Sequence, residues 1–238
     1  MKLPDTTVMR ALQLGSIAIA TSALVACGGS GGGSSPTATI KGTAAIGVPL
    51  ANATIQITCK NGSSTTTTDA NGAFSATFAF DSPCLLTATG GATVIHSLAA
   101  GPGTYNLTSL TELLLTYIAA QLGTTLNGLL TGIQSNASFQ SALSSSVVIT
   151  NAETAVAKLV KQMYGVTLSS SAFLTTSFVP GQPGLDSDLD ALQAAGAIGT
   201  TGAPSPALTS AATKAGAASP ISSGGGVPTG GTGGTGAT

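Results

Sequence analysis

The chain has 238 residues, of which only 6% are charged, and its formal net charge at neutral pH is −1. Its seven basic residues are too few and too scattered to form the clustered lysines and arginines that displace counterions from nucleic acid. We therefore expect no nucleic-acid partner. With so few charges, Ser, Thr, Asn and Gly must cover much of the surface.

The N-terminus has the features of an export signal. Lys2 and Arg10 precede an apolar run over residues 11–26, with the core Ile17-Ala18-Ile19-Ala20. The run is shorter than the roughly 20 apolar residues that span a bilayer. A positive start, a short apolar stretch and a small-residue end are typical of a secretory signal. We therefore predict that residues 1–26 are a signal peptide.

The end of this segment, Leu24-Val25-Ala26-Cys27-Gly28, resembles the lipobox of bacterial lipoproteins. In that family the thiol of the Cys is acylated with fatty acids such as palmitate, and the signal is cut just before it. The resemblance implies that Cys27 is the lipidation site and that a lipid anchor holds the protein to a membrane of the cell envelope. By analogy with that family, Gly28 in place of an Asp implies delivery to the outer membrane, on its periplasmic or cell-surface side.

Residues 27–36 are predicted to be the lipidated Cys and a flexible tether. The sequence GGSGGGSSP after Cys27 is a Gly/Ser coil. A coil of this length has a root-mean-square span of about 15–18 Å. It would hold the folded part away from the lipid headgroups.

From residue 37 to residue 106 the apolar residues follow a period of two. Two segments show this most clearly, and their apolar members are Ala53, Ile55, Ile57 and Cys59 in one, and Phe74, Ala76, Phe78 and Phe80 in the other. Between them, Asp69-Ala70-Asn71-Gly72 predicts a hairpin turn, since Asn and Gly tolerate a positive φ. Short alternating strands with turns at this spacing predict an antiparallel β-sandwich. The Phe residues are then expected to lie in its core.

This segment resembles the carboxypeptidase regulatory-like, or transthyretin-like, β-sandwich. The residues that carry the resemblance are Gly42-Thr43-Ala44, Val48-Pro49-Leu50-Ala51-Asn52-Ala53-Thr54-Ile55 and Thr68-Asp69-Ala70-Asn71-Gly72-Ala73-Phe74. The resemblance implies the fold of residues 37–106. It implies no particular activity, because this module usually serves as an accessory or binding domain.

Two cysteines remain once Cys27 is assigned to the lipid. Cys59 and Cys84 are an even pair in an oxidising compartment, where disulfides form and persist. We predict a disulfide between them.

Residues 107–198 change to a helical period. The apolar residues of the first helix, over 109–122, are Leu110, Leu113, Leu114, Tyr117, Ile118 and Leu122. Ser109 and Glu112 have the spacing of a capping box. Weaker helices are predicted over 125–133 and 137–146. A stronger one over 151–164 is expected to begin with caps from Thr150 and Glu153 and to end at Gly165, and a last short one covers 187–195.

Residues 199–238 are predicted to be a disordered tail. They hold 11 Gly and 4 Pro, one charge at Lys214, and none of the nine aromatic residues of the chain. A segment without an apolar period cannot offset its ordering entropy by burial. The expected fold class is therefore an antiparallel β-sandwich followed by a small helical region and a disordered C-terminal tail.

Two glycine-rich matches to catalytic motifs are products of composition. Residues 28–32 match the nucleophile-elbow pattern, and residues 231–236 match the dinucleotide-binding pattern. The first pattern requires a strand before the Ser and a helix after it, and the second requires a helix that begins at the glycines. Neither context is predicted here, so we expect no nucleotide cofactor.

Three aspartates, Asp186, Asp188 and Asp190, alternate like the start of a calcium-binding loop. An EF-hand counted from Asp186 would need Gly at position 191 and Glu at position 197, and this chain has Ala at both. Acidic residues at a helix N-terminus are favoured by the helix dipole alone. We favour a helix start, and a weak cation site stays open as the alternative.

His96 is the only histidine, and it shares its strand face with Val94 and Leu98. A hydrolase would need it beside a nucleophilic Ser and an orienting carboxylate, which no motif locates. A zinc site needs several His or Cys ligands. We therefore expect a structural histidine, facing inward or at a sheet edge, and no catalytic residue, metal or cofactor.

These predictions together favour a lipid-anchored envelope protein with a binding or structural role and no enzyme activity. The Ser/Thr-rich strand faces would suit a carbohydrate or an envelope protein as partner. Two alternatives stay open. One is an envelope hydrolase with an active site around His96, and the other is an accessory subunit of an envelope assembly.

Overall fold

The computed structural model describes residues 37–221. Four predicted features lie outside the described residues. These are the signal peptide over residues 1–26, the lipidation site Cys27, the tether over 27–36, and the last part of the predicted tail, residues 222–238.

Within residues 37–221, seven strands form two sheets. They are β1 (Thr37–Thr43), β2 (Thr54–Asn61), β3 (Ser63–Thr67), β4 (Ala73–Ala79), β5 (Asp81–Gly90), β6 (Thr93–Ala99) and β7 (Gly103–Thr104). The three-stranded sheet has the order β4-β1-β7 and the four-stranded sheet the order β3-β2-β5-β6. All neighbours are antiparallel except β1 and β7. The predicted alternation is confirmed where Ile55, Ile57 and Cys59 are fully buried.

The turn at residues 69–72 does not close a hairpin, so that prediction was wrong. It joins β3 of one sheet to β4 of the other, and each strand pairs with a different partner. The Asp69 carboxylate accepts hydrogen bonds from the backbone N–H groups of Asn71 and Ala73, at 2.8 and 2.9 Å. Gly72 alone supplies the positive φ, at 77°, and a Cβ there would lie 2.4 Å from the carbonyl oxygen of Ala44. The turn signal was correct, but a local signal cannot show to which sheet each strand belongs.

Six helices are present in the described part of the chain. They are α1 (Ser109–Gln121), α2 (Leu126–Gly132), α3 (Ala137–Ser144), α4 (Ser146–Tyr164), α5 (Leu185–Ala194) and α6 (Pro206–Ala217). The first five lie close to the predicted ranges. Helix α1 is the central one, because ten of its 13 residues are buried. It packs against β6 and against α4 and α6.

Two helix starts differ from the prediction. Thr108 caps α1, and together with Thr111 it forms the capping box that was assigned to Ser109 and Glu112. Helix α4 begins five residues earlier than expected, at Ser146, with the Ser145 hydroxyl accepting from the N–H of Val148. Residues 146–150 are rich in β-branched side chains, which are weak helix formers. They are helical here because Ile149 packs into the core.

The prediction of a disordered tail over 199–238 is wrong for residues 206–217, which form α6. Pro206 occupies the first turn, and the Ser205 hydroxyl accepts a hydrogen bond from the N–H of Leu208. The buried face consists of Leu208, Ala212 and Gly216. A Cβ on Gly216 would lie 2.3 Å from the carbonyl oxygen of Tyr117, so α6 approaches the backbone of α1 closely. Small residues allow this contact to form by dispersion without a strong apolar period.

The helical region packs on the four-stranded sheet at one end. Helix α1 contacts β6 and α3 contacts β5. Leu85 and Leu98 are a directly opposed pair on the outer face of this sheet, and both are buried. Helix α1 also contacts His96 on this face, and the part that is further away, around Thr54, Thr67 and Thr89, is exposed.

Candidate functional site

The exposed part of the outer face of the four-stranded sheet carries polar side chains in register across three strands. Its register places Gln56 directly opposite Thr65 on one side and Thr87 on the other. One row further along, Thr54 lies opposite Thr67 and Thr89. We call these six residues the threonine face: Thr54, Gln56, Thr65, Thr67, Thr87 and Thr89.

The threonine face presents a regular array of hydroxyl and methyl groups. Neighbouring strands lie about 4.8 Å apart, and alternate residues along one strand are about 6.8 Å apart. Five of the six side chains are exposed, and Thr87 is half-buried. None of the six is charged. The face can therefore form many hydrogen bonds to a neutral ligand while its methyl groups contact apolar surface.

Local sequence explains why this array forms. Each of the central strands alternates Thr or Gln with a residue that is buried on the opposite face, such as Ile55, Ile57 or Leu86. Threonine is β-branched and fits a pleated strand well, while its hydroxyl can hydrogen-bond to water on the exposed face. The burial pattern therefore fixes the register, and the register places the hydroxyls in rows.

His96 stands at the border of the threonine face, directly opposite Thr87 on the edge strand β6. The Glu112 Oε2 atom lies 2.9 Å from His96 Nδ1 and accepts a 2.6 Å hydrogen bond from the His96 backbone N–H. The Thr111 hydroxyl donates to the His96 carbonyl oxygen at 2.8 Å. Two side chains of α1 thus satisfy the outward backbone groups of His96, which protects part of the sheet edge from pairing with another strand.

This geometry supplies one of the two partners that a catalytic histidine requires. Glu112 is an orienting carboxylate for the ring. However, no Ser or Thr hydroxyl of residues 37–221 lies within hydrogen-bond distance of the His96 ring. The sequence did not reveal the Glu112 contact, because the spacing of Glu112 from Ser109 pointed to a helix cap instead. The signal that could have suggested the contact was the single histidine on a strand just before the first helix.

Asp186 and Asp188 lie in the first turn of α5, as predicted, and Asp190 lies in the second turn. The carboxylates of Asp186 and Asp188 both form hydrogen bonds outside their own helix. The Asp188 carboxylate accepts hydrogen bonds from the Ser169 N–H, at 2.8 Å, and from the Ser169 hydroxyl, at 2.7 Å. The Asp186 carboxylate accepts from the Gly181 N–H at 2.7 Å. Within residues 37–221 no group of three or more His, Cys, Asp or Glu side chains is arranged to hold a metal ion.

Burial changes the titration of two carboxyl groups. Desolvation raises the pKa of Asp186, the Gly181 N–H partly opposes this, and the charge of Asp190 raises the pKa further. Desolvation also raises the pKa of Glu153, whose carboxylate accepts a 2.8 Å hydrogen bond from the N–H of Leu174. Neither residue lines the groove between the ends of β1, β2 and β5 or the groove beside α4, within the described residues. Both instead hold the backbone of the segment between α4 and α5.

The predicted disulfide between Cys59 and Cys84 is present. The two residues are directly opposed on β2 and β5, and both are fully buried. The bond joins the two strands at the end of the sheet that lies away from the threonine face.

The described surface includes two shallow grooves. The larger, of about 500 Å³, lies between the ends of β1, β2 and β5 and is lined by Ala38, Lys60, Phe80, Asp81, Ser82 and Pro102. The smaller, of about 220 Å³, lies beside the C-terminal half of α4 and includes Lys158 and Lys161. His96 lines neither groove.

In the described residues no single helix is long and apolar enough to cross a bilayer. Helices α1 and α2 have the required length and apolar character only when taken together, and the chain bends by 85° between them. Comparisons with family models, curated proteins and solved structures gave no match to this chain.

Proposed function

We propose that this chain is a lipid-anchored protein of the bacterial cell envelope that binds a neutral carbohydrate through the threonine face. The anchor would be Cys27, on the outer membrane. The observation that carries the binding role is the row-by-row array of exposed Thr and Gln side chains on the four-stranded sheet. The protein would hold its ligand without altering it.

The arrangement of the two sheets supports a β-sandwich of the carboxypeptidase regulatory-like kind. Ile40 and Phe74 of the three-stranded sheet belong to the same buried cluster as Ile57 and Leu86 of the four-stranded sheet. A shared core of this kind is what a sandwich requires, because there the side chains of two inner faces pack together. Because that module usually serves for binding, the resemblance favours the same role here.

The chemistry of the threonine face favours a carbohydrate over a protein. Energetically dominant residues in protein interfaces are most often Trp, Tyr and Arg, and the threonine face contains none of these. Hydroxyl and amide groups match the hydroxyls of a sugar as both donors and acceptors. Since each contact is weak, an extended polysaccharide would bind better than a single sugar, because its repeats engage several rows at once.

The use of the carboxylates also supports binding. Six acidic residues of the described region accept hydrogen bonds from backbone or side-chain groups nearby, and these are Asp69, Asp81, Glu112, Glu153, Asp186 and Asp188. General acid–base catalysis instead needs a group within reach of a substrate and tuned near the working pH. Local structure therefore already accounts for most of the groups that could do such chemistry.

A substitution on each sheet tests the binding surface. Thr89→Arg places a long charged side chain in the threonine face, and Thr77→Arg places the same side chain on the exposed face of the other sheet. We expect Thr89→Arg to reduce co-sedimentation with polysaccharide extracted from the producing cell envelope by roughly tenfold, from the loss of about 1.4 kcal/mol. Thr77→Arg should leave it unchanged. Equal binding by both variants and the unsubstituted protein would exclude the threonine face.

The anchor is tested separately. Cys27→Ser removes the thiol that accepts the lipid, so metabolic labelling with an alkyne fatty acid should disappear and the protein should leave the membrane fraction. Label that persists on the Ser variant would contradict the lipoprotein proposal. It would leave the proposal for the threonine face intact.

The contact between Glu112 and His96 favours a hydrolase as the second candidate, because a carboxylate holds the imidazole at Nδ1. Thr87, opposite His96, would be the nearest candidate nucleophile on the sheet. If the protein is a hydrolase, purified protein should cleave p-nitrophenyl acetate faster than the matched His96→Gln variant does. Equal rates from the two proteins would leave the binding role as the better account.

A further inference from the structure

The groove between the ends of β1, β2 and β5 lies apart from the threonine face. Its lining includes Phe80, which is mostly buried, and Pro102, and these two residues add apolar surface beside the polar ones. Its volume of about 500 Å³ falls within the usual range for small-molecule sites, which is about 300–1,000 Å³. A small ligand with an apolar middle would therefore fit.

Two opposite charges lie on this groove without an ion-pair partner. Lys60 contributes an ammonium group and Asp81 a carboxylate. Within residues 37–221 the one close contact between a basic and an acidic side chain is that of His96 with Glu112, so Lys60 and Asp81 pair neither with each other nor with another charged side chain. This leaves both charges available to a ligand.

The groove also holds its polar groups in place. The Asn61 side-chain amide donates a 2.8 Å hydrogen bond to Asp81 Oδ2, which orients the carboxylate. The Ser82 hydroxyl also lines the groove and adds a donor and an acceptor. The Cys59–Cys84 disulfide lies next to the groove in both strands. Cys59 directly precedes Lys60, and Cys84 lies two residues after Ser82. The disulfide therefore joins the two strands that carry Lys60 and Asp81.

We infer that this groove binds a small zwitterion, such as an amino acid or a short peptide with a free amino group and a free carboxylate. The ligand ammonium would pair with Asp81, its carboxylate with Lys60, and its apolar body would contact Phe80 and Pro102. A neutral sugar would leave both charges without a counter-charge, and a simple anion or cation would satisfy one of them.

The test uses L-alanyl-L-alanine as the probe and follows the backbone amides of residues 80–82 by NMR. We expect saturable shifts with a Kd of about 10 mM or tighter, which corresponds to a weak binding site. N-acetylation removes the ammonium of the probe and amidation removes its carboxylate. Each capped probe should bind more weakly, by up to about fivefold, because each loses one solvent-exposed ion pair. The absence of saturable shifts, or equal binding by the capped probes, would overturn the inference.

Variants of the protein provide the complementary arm. Lys60→Met and Asp81→Asn each remove one charge, and Asp81→Asn keeps an oxygen that can accept from Asn61. Lys60→Met should weaken binding by roughly the same factor as amidation of the probe, and Asp81→Asn by roughly the same factor as its N-acetylation. Lys41→Met, which removes an exposed charge on the other sheet, is the matched control and should have no effect. An equal loss in this control would show that the charges of the groove are not the determinants.

Discussion

The β-rich region and the segment between α4 and α5 satisfy their backbone in different ways. In residues 37–107, neighbouring strands pair with one another over long registers. Residues 165–184 form neither helix nor strand, and buried side chains from other parts of the chain hold them instead. Glu153 accepts from the Leu174 N–H, and the Asn106 side-chain amide donates to the carbonyl oxygens of Phe173 and Thr176, at 3.0 and 2.7 Å.

This difference between the two regions shows how a chain with few charged residues uses its buried carboxylates. Buried backbone groups must be paired, so a long irregular segment in contact with the core requires polar side chains as partners. Here Glu153, Asp186 and Asp188 each accept from a backbone N–H of that segment. The same residue types that would be candidates for catalysis are therefore structural in this half of the molecule.

The largest predicted change in unfolding free energy comes from removing α6. It tests whether packing between small residues stabilises the helical region as strand pairing stabilises the sheets. Truncation after Gly199 removes Leu208 and the close contact of Gly216 with α1. Losing a buried Leu together with this contact should cost at least about 3–5 kcal/mol of unfolding free energy. Urea denaturation measures it. Truncation after Ile221 is the control and should change the unfolding midpoint little, and a small effect of both truncations would contradict the packing of α6.

A smaller loss of stability is expected from substituting Glu153. The substitution removes one of the side-chain hydrogen bonds that hold the irregular segment, residues 165–184. Glu153→Ala leaves the Leu174 N–H buried without an acceptor and should destabilise the protein by about 1–3 kcal/mol. Glu153→Gln keeps an acceptor oxygen and removes the buried charge, so it should be more stable than the unsubstituted protein at neutral pH. If Ala and Gln had equal effects, the hydrogen bond to Leu174 would not be important.

The same pair of proteins gives a pH dependence with a defined sign. Burial raises the pKa of Glu153, so the folded state binds this proton more tightly than the unfolded state. Stability should therefore fall as pH rises from the ordinary carboxyl value through the raised folded value, and then level off. The advantage of Glu153→Gln should grow over that range in urea denaturation. An advantage that is constant with pH would contradict the burial of the charged group.

The smallest effect, and the one whose sign matters most, is that of Gly216→Ala. At an open position in a helix this change should stabilise by about 0.5–1 kcal/mol, since Ala is the better helix former. At Gly216 the new Cβ would collide with the backbone of Tyr117. We therefore expect net destabilisation, measured by thermal unfolding. A stabilised variant would mean that α6 does not approach α1 as closely as described.

Sequence patterns predicted the strands and the first five helices because burial and periodicity coincide there. Ile55 and Ile57 alternate with exposed polar residues, and α1 buries nearly all its apolar side chains. Helix α6 was not predicted, because Ala212 and Gly216 add almost nothing to a hydrophobic pattern. Their small size is nevertheless what permits close packing.

The candidate sites were harder to predict, because they depend on which strands become neighbours. The Thr-rich segments were visible in the sequence, but their alignment into rows follows from the pairing of β2 with both β3 and β5. The contact of Glu112 with His96 likewise depends on how α1 packs beside β6. Long-range pairing of this kind has no local signature.

The most direct test of the proposed binding role is photocrosslinking in living cells. A benzophenone amino acid at Gln56 lies in the middle of the threonine face, and the same group at Gln162 lies on an exposed part of α4. The account predicts a polysaccharide adduct of high and heterogeneous mass from position 56 and none from position 162. A discrete protein adduct from position 56 would instead identify an accessory subunit of an envelope assembly, and identical patterns from both positions would contradict a binding role for the threonine face.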